Sequence, residues 1–414
     1  MKDKILIHIN DPKQLEKLYR ADKSGFKRAF TSLYPELEDR ILADYWNERL
    51  NYVDGDISWG SSKDLITVLI AVVLAGLLAK LPAFLPVDEA FFYTRNTGFI
   101  VFPLLSAYFA WKNRLSPKKM LFPAGIMLVG LLVINFLPNE KESDTLLLSC
   151  LHLPFVLWSM LGIVFVGKVG NDSEKRLGFL TYNGDLLVMM ALILLSGAIL
   201  SSLTVGLFSL IGFNIGEFYF KNVGIVGLAA APLVGTYLTR TNPQLVGKVS
   251  PVIAKIFSPL VLVMLIVYLI ATAYSGKDPY NDREFLLIFN ALLVGVMALI
   301  FFAIAETTKA TKSRAAIWIL FLLAVVTIIA NSIALSAISF RISEWGITPN
   351  RAAVLGANAL ILVNLLLVTI QLFRVLFKKA DTSAVGKVIA FYLPVYCLWA
   401  MIVTFLFPLL FGFA

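Results

Sequence analysis

Residues 315–339 read AAIWILFLLAVVTIIANSIALSAIS, and this stretch without a charged residue decides the fold class. A helix of about 20 apolar residues crosses a hydrocarbon core about 30 Å thick. Backbone groups inside lipid must find partners within the protein, so the stretch is either a helix or a strand of a closed barrel. Barrel strands have about 10 residues of alternating polarity. Residues 315–339 are longer and uniformly apolar, and they predict a transmembrane helix.

Similar apolar stretches recur along most of the chain. Of its 414 residues, 58% are hydrophobic and 15% are charged, whereas soluble domains carry about 25% charged residues. We therefore predict an all-α, polytopic transmembrane helix bundle of about eleven spans, preceded by a small N-terminal cytoplasmic helical segment. The predicted spans are 64–85, 97–112, 119–137, 145–167, 185–212, 222–239, 251–274, 285–306, 315–339, 351–377 and 387–413.

The polar N-terminal segment predicts a domain boundary near residue 60. We expect a cytoplasmic helical cap at 1–60 and the membrane bundle at 61–414, without a cleavable signal peptide. Asp11-Pro12 is typical of a helix start. Three apolar stripes predict short helices that pack against the bundle or against a cytoplasmic protein partner: Leu15, Leu18 and Tyr19; Phe26, Phe30 and Leu33; and Leu37, Ile41, Leu42, Tyr45, Trp46 and Leu50.

The basic residues of the loops predict the orientation of the bundle. Even-numbered loops carry seventeen of them: Lys112, Arg114, Lys118, Lys119, Lys168, Lys175, Arg176, Arg240, Lys248, Lys255, Lys309, Lys312, Arg314, Arg374, Lys378, Lys379 and Lys387. Odd-numbered loops carry seven: Arg95, Lys141, Lys221, Lys277, Arg283, Arg341 and Arg351. Positive charge accumulates on the cytoplasmic side. We therefore predict a multi-pass protein of the cytoplasmic membrane, with the N-terminus inside and the C-terminus outside.

Composition and motifs argue against several function classes. The net charge of +9 lies mostly in loops, without the basic stripe and exposed aromatics of nucleic-acid binding. The two cysteines and two histidines predict neither a disulfide framework nor a metal centre. We find no phosphate-binding loop, zinc-protease motif or nucleophile elbow. The sequence therefore predicts no catalytic residue, no cofactor and no metal, and it argues against an enzyme.

The predicted external connection between spans nine and ten contains a candidate ligand gate. Arg341 and Glu344 are three residues apart, within pairing reach on one helix face. Gly346 fits a helix stop, and Thr348-Pro349 fits the start of the next helix. Arg351 follows in the first turn, where a cation is mildly unfavourable, so we expect it to pair with Glu344 or an anionic ligand. The alternative is an interfacial salt bridge beside a capped turn.

Polar side chains within the predicted spans are the other candidates, because they are costly in lipid. We single out His152 in the fourth span, Asn331 in the ninth and Asn358 in the tenth as possible ligand or gate residues. Further polar residues in these late spans are Ser332, Asn364, Gln371, Tyr392 and Tyr396. Each could simply hydrogen-bond between helices. Asn183-Gly184-Asp185 predicts a helix start with a favourably placed acidic residue.

Two short motifs resemble those of a known family. The motifs are Leu151-His152-Leu153-Pro154-Phe155 and the segment from Arg341 to Arg351, which reads RISEWGITPNR. They resemble a group of polytopic bacterial inner-membrane proteins that carry a domain of unknown function, over roughly residues 145–400. The resemblance implies a many-helix membrane fold and a bacterial source. It implies no established activity.

Two hypotheses follow from these patterns. The first is a permease-like protein for a small solute or ion, with polar residues of spans four, nine and ten near its path. The second is a membrane-sited regulator or scaffold, in which residues 1–60 bind a cytoplasmic partner. The size of the bundle favours the first hypothesis, because an anchor needs fewer spans.

Overall fold

The chain is helical throughout the part that the structure describes. This computed structural model describes residues 1–37, 41–51, 60–140, 142–167, 172–210, 213–247, 249–274, 280, 283–307, 314–378 and 380–413. All regular secondary structure of these residues is helical, which confirms the predicted all-α class. The chain divides into two compact units, Met1–Ser58 and Trp59–Ala414. The cytoplasmic location of the first unit stays a prediction.

The first unit is built from short capped helices. They are α1 (Lys2–Ile7), α2 (Pro12–Ala21), α3 (Lys23–Leu33) and α4 (Ile41–Asn51). The predicted start of α2 is confirmed, because the Asp11 carboxylate accepts from the backbone N–H groups of Lys13 at 3.0 Å and Gln14 at 3.2 Å. Helix α1 goes beyond the sequence prediction.

An aromatic core holds these helices together. Phe26, Phe30 and Trp46 are buried, and the rings of Phe26 and Trp46 are 5.1 Å apart. Tyr45 is 69% exposed, which corrects its predicted place on the inward stripe. The helical period turns Tyr45 about 100° away from its buried neighbour Trp46. The side chains of Ile41 and Leu42, predicted for the same stripe, lie outside the described set.

Glu16 joins helices α2 and α4 through two ion pairs. Its carboxylate accepts from Arg20 at 2.8 Å and lies 2.9 Å from an Nη atom of Arg49. The hydrogen bond from Arg20 and the charge of Arg49 outweigh desolvation and hold the pKa of Glu16 below its usual value of 4.5. The Arg49 guanidinium also lies 4.8 Å from the ring centroid of Trp46.

The second unit is a bundle of long apolar helices. Its helices are α5 (Ser62–Ala79), α6 (Leu81–Phe84), α7 (Glu89–Lys112), α8 (Pro117–Phe136), α9 (Asp144–Val166), α10 (Ser173–Leu210), α11 (Gly216–Tyr219), α12 (Ile225–Thr241), α13 (Pro243–Gly247), α14 (Val249–Tyr274), α15 (Arg283–Thr307), α16 (Arg314–Trp345), α17 (Pro349–Phe377), α18 (Ser383–Met401) and α19 (Phe407–Leu410). A π-helical turn, Phe220–Gly224, joins α11 to α12, and a second, Ile402–Leu406, joins α18 to α19.

The lengths of these helices fit membrane crossing. Among the described residues, eight helices are long and apolar enough to cross a membrane, counting α11–α12 and α18–α19 as one each. Helices α14 and α15 contain shorter apolar stretches, Ala254–Ile270 and Phe289–Ala305. Each predicted span overlaps a described helix, which confirms the all-α polytopic bundle. The second predicted span lies in α7, which is not among the eight, so the count of eleven spans stays a prediction.

Several predicted span ends differ from the helix ends, among them the start of α7 at Glu89 and the end of α16 at Trp345. Helix α5 ends at Ala79, before the predicted end at residue 85, and the chain turns into α6 at Pro82. Helix α10 begins at Ser173, so Asn183-Gly184-Asp185 lies in its interior and does not start it. The extra turns of α10 are stabilised by Phe179 and Tyr182, whose buried rings pack against Phe165.

The bundle contains two main apolar cores. One is formed by α5, α7, α9, α10 and α12, with Phe109, Leu161 and Tyr182 among its buried side chains. The other is formed by α14–α18, where Leu323 and Leu365 are fully buried. The candidate polar residues Asn331 and Asn358 lie on helices of the second core.

Candidate functional site

A short capped turn joins α16 to α17. Gly346 has a φ of +74°, a left-handed conformation that favours glycine and ends α16. The Thr348 hydroxyl accepts from the backbone N–H of Arg351 at 3.3 Å, and Pro349 is the first residue of α17. The structure confirms this predicted stop and start.

Arg351 binds the end of the preceding helix. Its guanidinium donates to the carbonyl oxygens of Trp345 at 2.9 Å and Gly346 at 2.7 Å. Carbonyls at a helix C-terminus lack intrahelical partners and carry partial negative charge, so a cation stabilises them there. Neither Glu344 nor a ligand is needed to satisfy Arg351.

The rest of this turn is held by contacts with Trp345. The Arg341 and Arg351 guanidinium carbons lie 5.4 Å and 5.6 Å from the Trp345 ring centroid. Glu344 is exposed and forms no ion pair with Arg341 in the structure. We name residues 341–351 the Arg351 turn. Of its sequence-predicted gate residues, Arg341 and Arg351 thus share the Trp345 ring, Arg351 also bonds the backbone, and Glu344 forms an ion pair with neither arginine.

Arg95 makes a similar contact with a different helix end. This buried side chain donates to the carbonyls of Leu137 at 3.0 Å and Pro138 at 3.3 Å, and also to the carbonyl of Ile134. It thereby caps the C-terminus of α8. Below it, Asn96 and Asn135 exchange two amide hydrogen bonds of 2.9 Å and 2.8 Å.

His152 lies apart from the other candidates. Its Nδ1 lies 2.9 Å from the carbonyl oxygen of Leu148, one turn earlier in α9, and this is its one hydrogen bond to the described residues. The flanking Leu151 and Phe155 are exposed on the apolar surface of the bundle. The His152 ring thus bonds a carbonyl of its own helix, and no hydrogen bond joins it to Asn331 or Asn358.

Asn331 and Asn358 do come together, with a third asparagine. The Asn331 amide nitrogen donates to the backbone carbonyl of Asn358 at 2.9 Å. The Asn358 amide nitrogen donates to Oδ1 of Asn290 on α15 at 2.7 Å. Asn331 is fully buried and Asn358 is 2% exposed. These bonds connect α15, α16 and α17 within the apolar bundle.

A second polar group lies farther along the same helices. The amide nitrogen of the fully buried Asn364 donates to the Tyr396 hydroxyl at 3.0 Å. The Tyr396 hydroxyl donates to the sulfur of Met297 at 3.2 Å. This group connects α17, α18 and α15. We name the six residues Asn290, Met297, Asn331, Asn358, Asn364 and Tyr396 the polar seam.

Two oxygens of the polar seam have no hydrogen-bond partner within the described part of the chain. They are Oδ1 of Asn331 and Oδ1 of Asn364, both inaccessible to solvent. The assignment is firm for Asn331, because the backbone carbonyl of Asn358 can only accept and so fixes the side of the amide nitrogen. A buried acceptor without a partner costs about 1–3 kcal/mol. The seam therefore contains two buried oxygens that can still accept hydrogen bonds.

The acidic residue Asp185 lies inside α10, although the sequence predicts a helix start at Asn183-Gly184-Asp185. Asp185 lies two residues after Asn183, whose side-chain oxygen accepts from the Trp158 indole N–H at 2.9 Å. The Oδ1 atom of Asp185 is buried without a partner among the described residues. At Gly184 a Cβ atom would overlap the Phe302 ring, so α10 packs closely against α15 at this point.

Two residues of the seam, Asn290 and Met297, are not predicted from the sequence. Asn290, like Asn331, is an amide side chain inside an apolar span. The same criterion that singles out Asn331 could therefore have identified it. Met297 has no such signal, because a thioether in an apolar span is ordinary core packing. Its role depends on the approach of α18, which brings the Tyr396 hydroxyl to it.

Neither metal chemistry nor known relatives identify this site. Within the described residues, no cluster of three or more histidine, cysteine or acidic side chains could hold a metal ion. Cys150 and Cys397 are free thiols. Comparison of the chain with protein-family models, with curated proteins and with solved structures gives no significant match.

Proposed function

We propose that this integral membrane protein is a permease-like protein that passes a small solute along the polar seam. One observation carries the proposal: Oδ1 of the fully buried Asn331 has no hydrogen-bond partner among the residues that the structure describes. Polar groups inside membrane bundles are costly, and those that persist commonly line substrate pathways. A passing solute that donates to Asn331 would offset that cost.

Interruptions of the helices support the same proposal. Transporter sites are commonly built where membrane helices are discontinuous, and π-helical turns occur often at functional sites. Helix α18 contains Pro394, two residues before the seam residue Tyr396, and ends in the π-helical turn Ile402–Leu406. The helix that supplies one side of the seam is therefore irregular on both sides of Tyr396.

The sidedness of the protein belongs to this proposal. The excess of basic residues in the even-numbered loops supports a bacterial cytoplasmic membrane with the N-terminus inside and the C-terminus outside. The Arg351 turn then lies outside. The resemblance of its RISEWGITPNR motif to bacterial inner-membrane proteins supports the same location.

Solute flux into proteoliposomes tests the proposal. The full chain is reconstituted beside Asn331→Leu and the matched control Ser332→Leu, whose hydroxyl bonds its own helix at Ile328 on an exposed face. Flux that depends on the wild-type protein, falls to the protein-free rate in Asn331→Leu and persists in the control supports the proposal. Equal flux in all three proteins, or none above that of empty liposomes, contradicts it.

A second candidate function is supported by the first unit. Residues 1–37 and 41–51 fold around their own aromatic core, yet Leu6 and Ile7 are 51% and 77% exposed. Apolar side chains exposed on a folded unit favour a protein partner, so a regulator or scaffold that binds a cytoplasmic protein is the alternative. Deletion of residues 2–55 separates the two functions. If the protein is a permease, the deletion variant retains solute flux in proteoliposomes. If it is a regulator, neither the full chain nor the deletion variant shows flux, and the deletion abolishes the regulatory response in cells.

A further inference from the structure

We infer that Arg176 and Ser149 position the seam residue Tyr396, because they clamp α18 at two carbonyls that prolines leave without their regular helical partner. This positioning deepens the proposed function and rests on it, since Tyr396 belongs to the polar seam. Two hydrogen bonds between helices support the inference, one on each side of Tyr396 along the chain.

The first clamp joins α10 to α18. In an α-helix the carbonyl of each residue accepts from the N–H four residues later, and proline has no N–H. Pro394 lies inside α18, so the carbonyl of Ala390 lacks this regular partner. The Arg176 guanidinium of α10 donates to the Ala390 carbonyl at 3.2 Å, and Ala390 is fully buried. A side chain from a neighbouring helix thus takes the place of the missing backbone donor.

The second clamp joins α9 to the π-helical turn that follows α18. The carbonyl of Thr404 also lacks its regular partner, because residue 408 is proline. The hydroxyl of the fully buried Ser149 donates to this carbonyl at 3.0 Å. A serine inside a helix can instead bond its own helix, as Ser159 of α9 does at 2.7 Å. Ser149 therefore bonds across to the carbonyl that Pro408 leaves over.

The seam residue lies between the two clamps. Tyr396 comes six residues after Ala390 and eight before Thr404. Its hydroxyl accepts from Asn364 at 3.0 Å and donates to Met297 at 3.2 Å. A hydrogen bond between nitrogen and oxygen is lost beyond about 3.5 Å, so a displacement of α18 by about 1 Å disconnects Tyr396 from Asn364. The clamps therefore decide whether this part of the seam is connected.

A clamp made by a side chain differs from a backbone hydrogen bond in how it is released. Rotation of the Ser149 hydroxyl or of the Arg176 side chain frees α18 at one end without unfolding a turn of helix. The segment between the clamps can then move while its own helical hydrogen bonds stay intact.

Crossed substitutions test the clamps. Pro394→Ala restores the N–H that is missing at the first clamp, and Pro408→Ala restores the one at the second. We expect Ser149→Ala to raise the unfolding equilibrium constant of the full chain in detergent about ten-fold, as the loss of one hydrogen bond does. In the Pro408→Ala background the same change should have less than about two-fold effect. Arg176→Met should behave likewise with Pro394→Ala. Exchange of the two prolines is the control, because each proline variant should rescue only its own clamp.

Thiol labelling tests whether the clamps position α18 or only stabilise the protein. Cys397 lies between the clamps, and in Cys150→Ser it is the only cysteine of the chain. Its thiol interacts with the Ser159 hydroxyl, which is ten residues, about 15 Å, from Ser149 along α9. We expect N-ethylmaleimide to label the folded protein about five-fold faster or more in Ser149→Ala. The rate should be unchanged in Thr181→Ala, whose hydroxyl bonds its own helix.

The same labelling examines the first clamp. Arg176→Met keeps the apolar stem and removes the donor, so labelling of Cys397 should accelerate. Arg176→Lys keeps a donor and a positive charge, and it should stay closer to the wild-type rate.

The possible results separate the inference from the proposed function. Rescue by the exchanged prolines, or no rescue by the matched ones, overturns the clamps. A raised unfolding constant without faster labelling of Cys397 overturns the positioning. Glycerol flux into proteoliposomes that falls in Asn331→Leu and persists in Ser149→Ala keeps the permease and overturns the positioning. No flux in the wild type contradicts the proposed function, and proline exchange and labelling then decide the clamps alone.

Discussion

The Arg351 turn and the polar seam both contain polar groups on α16 and α17, but Arg351 and Thr348 are hydrogen-bonded within their turn, whereas two oxygens of the seam are left over. Arg351 donates to the carbonyls of Trp345 and Gly346, and Thr348 caps α17. In the seam, the oxygens of Asn331 and Asn364 have no partner although their side chains are fully buried.

This difference distinguishes polar groups that stabilise the fold from polar groups that are available to bind a ligand. Groups that satisfy one another stabilise a turn and leave little to bind with. Buried groups that are left unpaired cost free energy, and such a cost persists where function requires it. Arg351 and Thr348 thus find their partners within the most motif-rich segment of the sequence, and the plainer apolar spans contain the candidate site.

The largest expected effect is on transport, in Asn331→Leu. Flux should fall to the protein-free rate, whereas the free energy of unfolding should fall by only about 1–2 kcal/mol, because leucine removes the unpaired acceptor together with the donor to the Asn358 carbonyl. Flux measurement and thermal unfolding of the purified protein check both parts. Loss of flux together with a large loss of stability would instead mark Asn331 as a packing residue.

Next in size is the loss of stability in Arg95→Ala, which shows what a buried, fully paired arginine contributes. This change leaves the carbonyls of Leu137 and Pro138 without their donor, and we expect about 3 kcal/mol of destabilisation. Denaturant unfolding in detergent measures it, with Arg95→Lys as the matched variant that keeps the charge. A change below the error of the measurement would show that water replaces the guanidinium without cost.

A smaller effect is expected at the Arg351 turn. Arg351→Ala removes two bonds to helix-end carbonyls that water can partly replace, so we expect about 1 kcal/mol of destabilisation. Flux should be unchanged. If Arg351→Ala abolishes flux while the unfolding temperature stays the same, the turn is a gate after all and the comparison fails.

The smallest effect is expected in Glu344→Ala. Glu344 is exposed and pairs with neither arginine of the turn, so stability should change by less than about 0.5 kcal/mol. Flux should stay within two-fold of wild type. A larger loss of flux in the same assay would indicate that Glu344 acts on the solute directly.

The sequence predicted the helices of the bundle well because lipid leaves the backbone few options. Apolar length alone located the eight helices that are long enough to cross a membrane, and local rules located the caps at Asp11, Thr348 and Gly346. The start of α10 was wrong, because Phe179 and Tyr182 stabilise extra turns through contacts with distant helices. Such tertiary packing has no signature within the local sequence.

The candidate site was only partly predictable. Asn331 and Asn358 stand out as amides inside apolar spans, and the structure brings them together. The sequence could not distinguish them from His152, which bonds its own helix. That distinction depends on which neighbour each side chain meets, and so on helix packing. Met297 joins the seam only because α18 brings the Tyr396 hydroxyl to its sulfur, and Tyr396 lies 99 residues after Met297 in the chain.

The central claim is that Oδ1 of Asn331 is open to a ligand. A high-resolution cryo-electron microscopy map of the full chain in lipid nanodiscs, recorded with and without glycerol, tests it most directly. We predict density within hydrogen-bond distance of this oxygen, from water without glycerol and from the solute with it. A dry contact, with a protein donor bonded to Asn331 Oδ1 in both maps, would contradict the account.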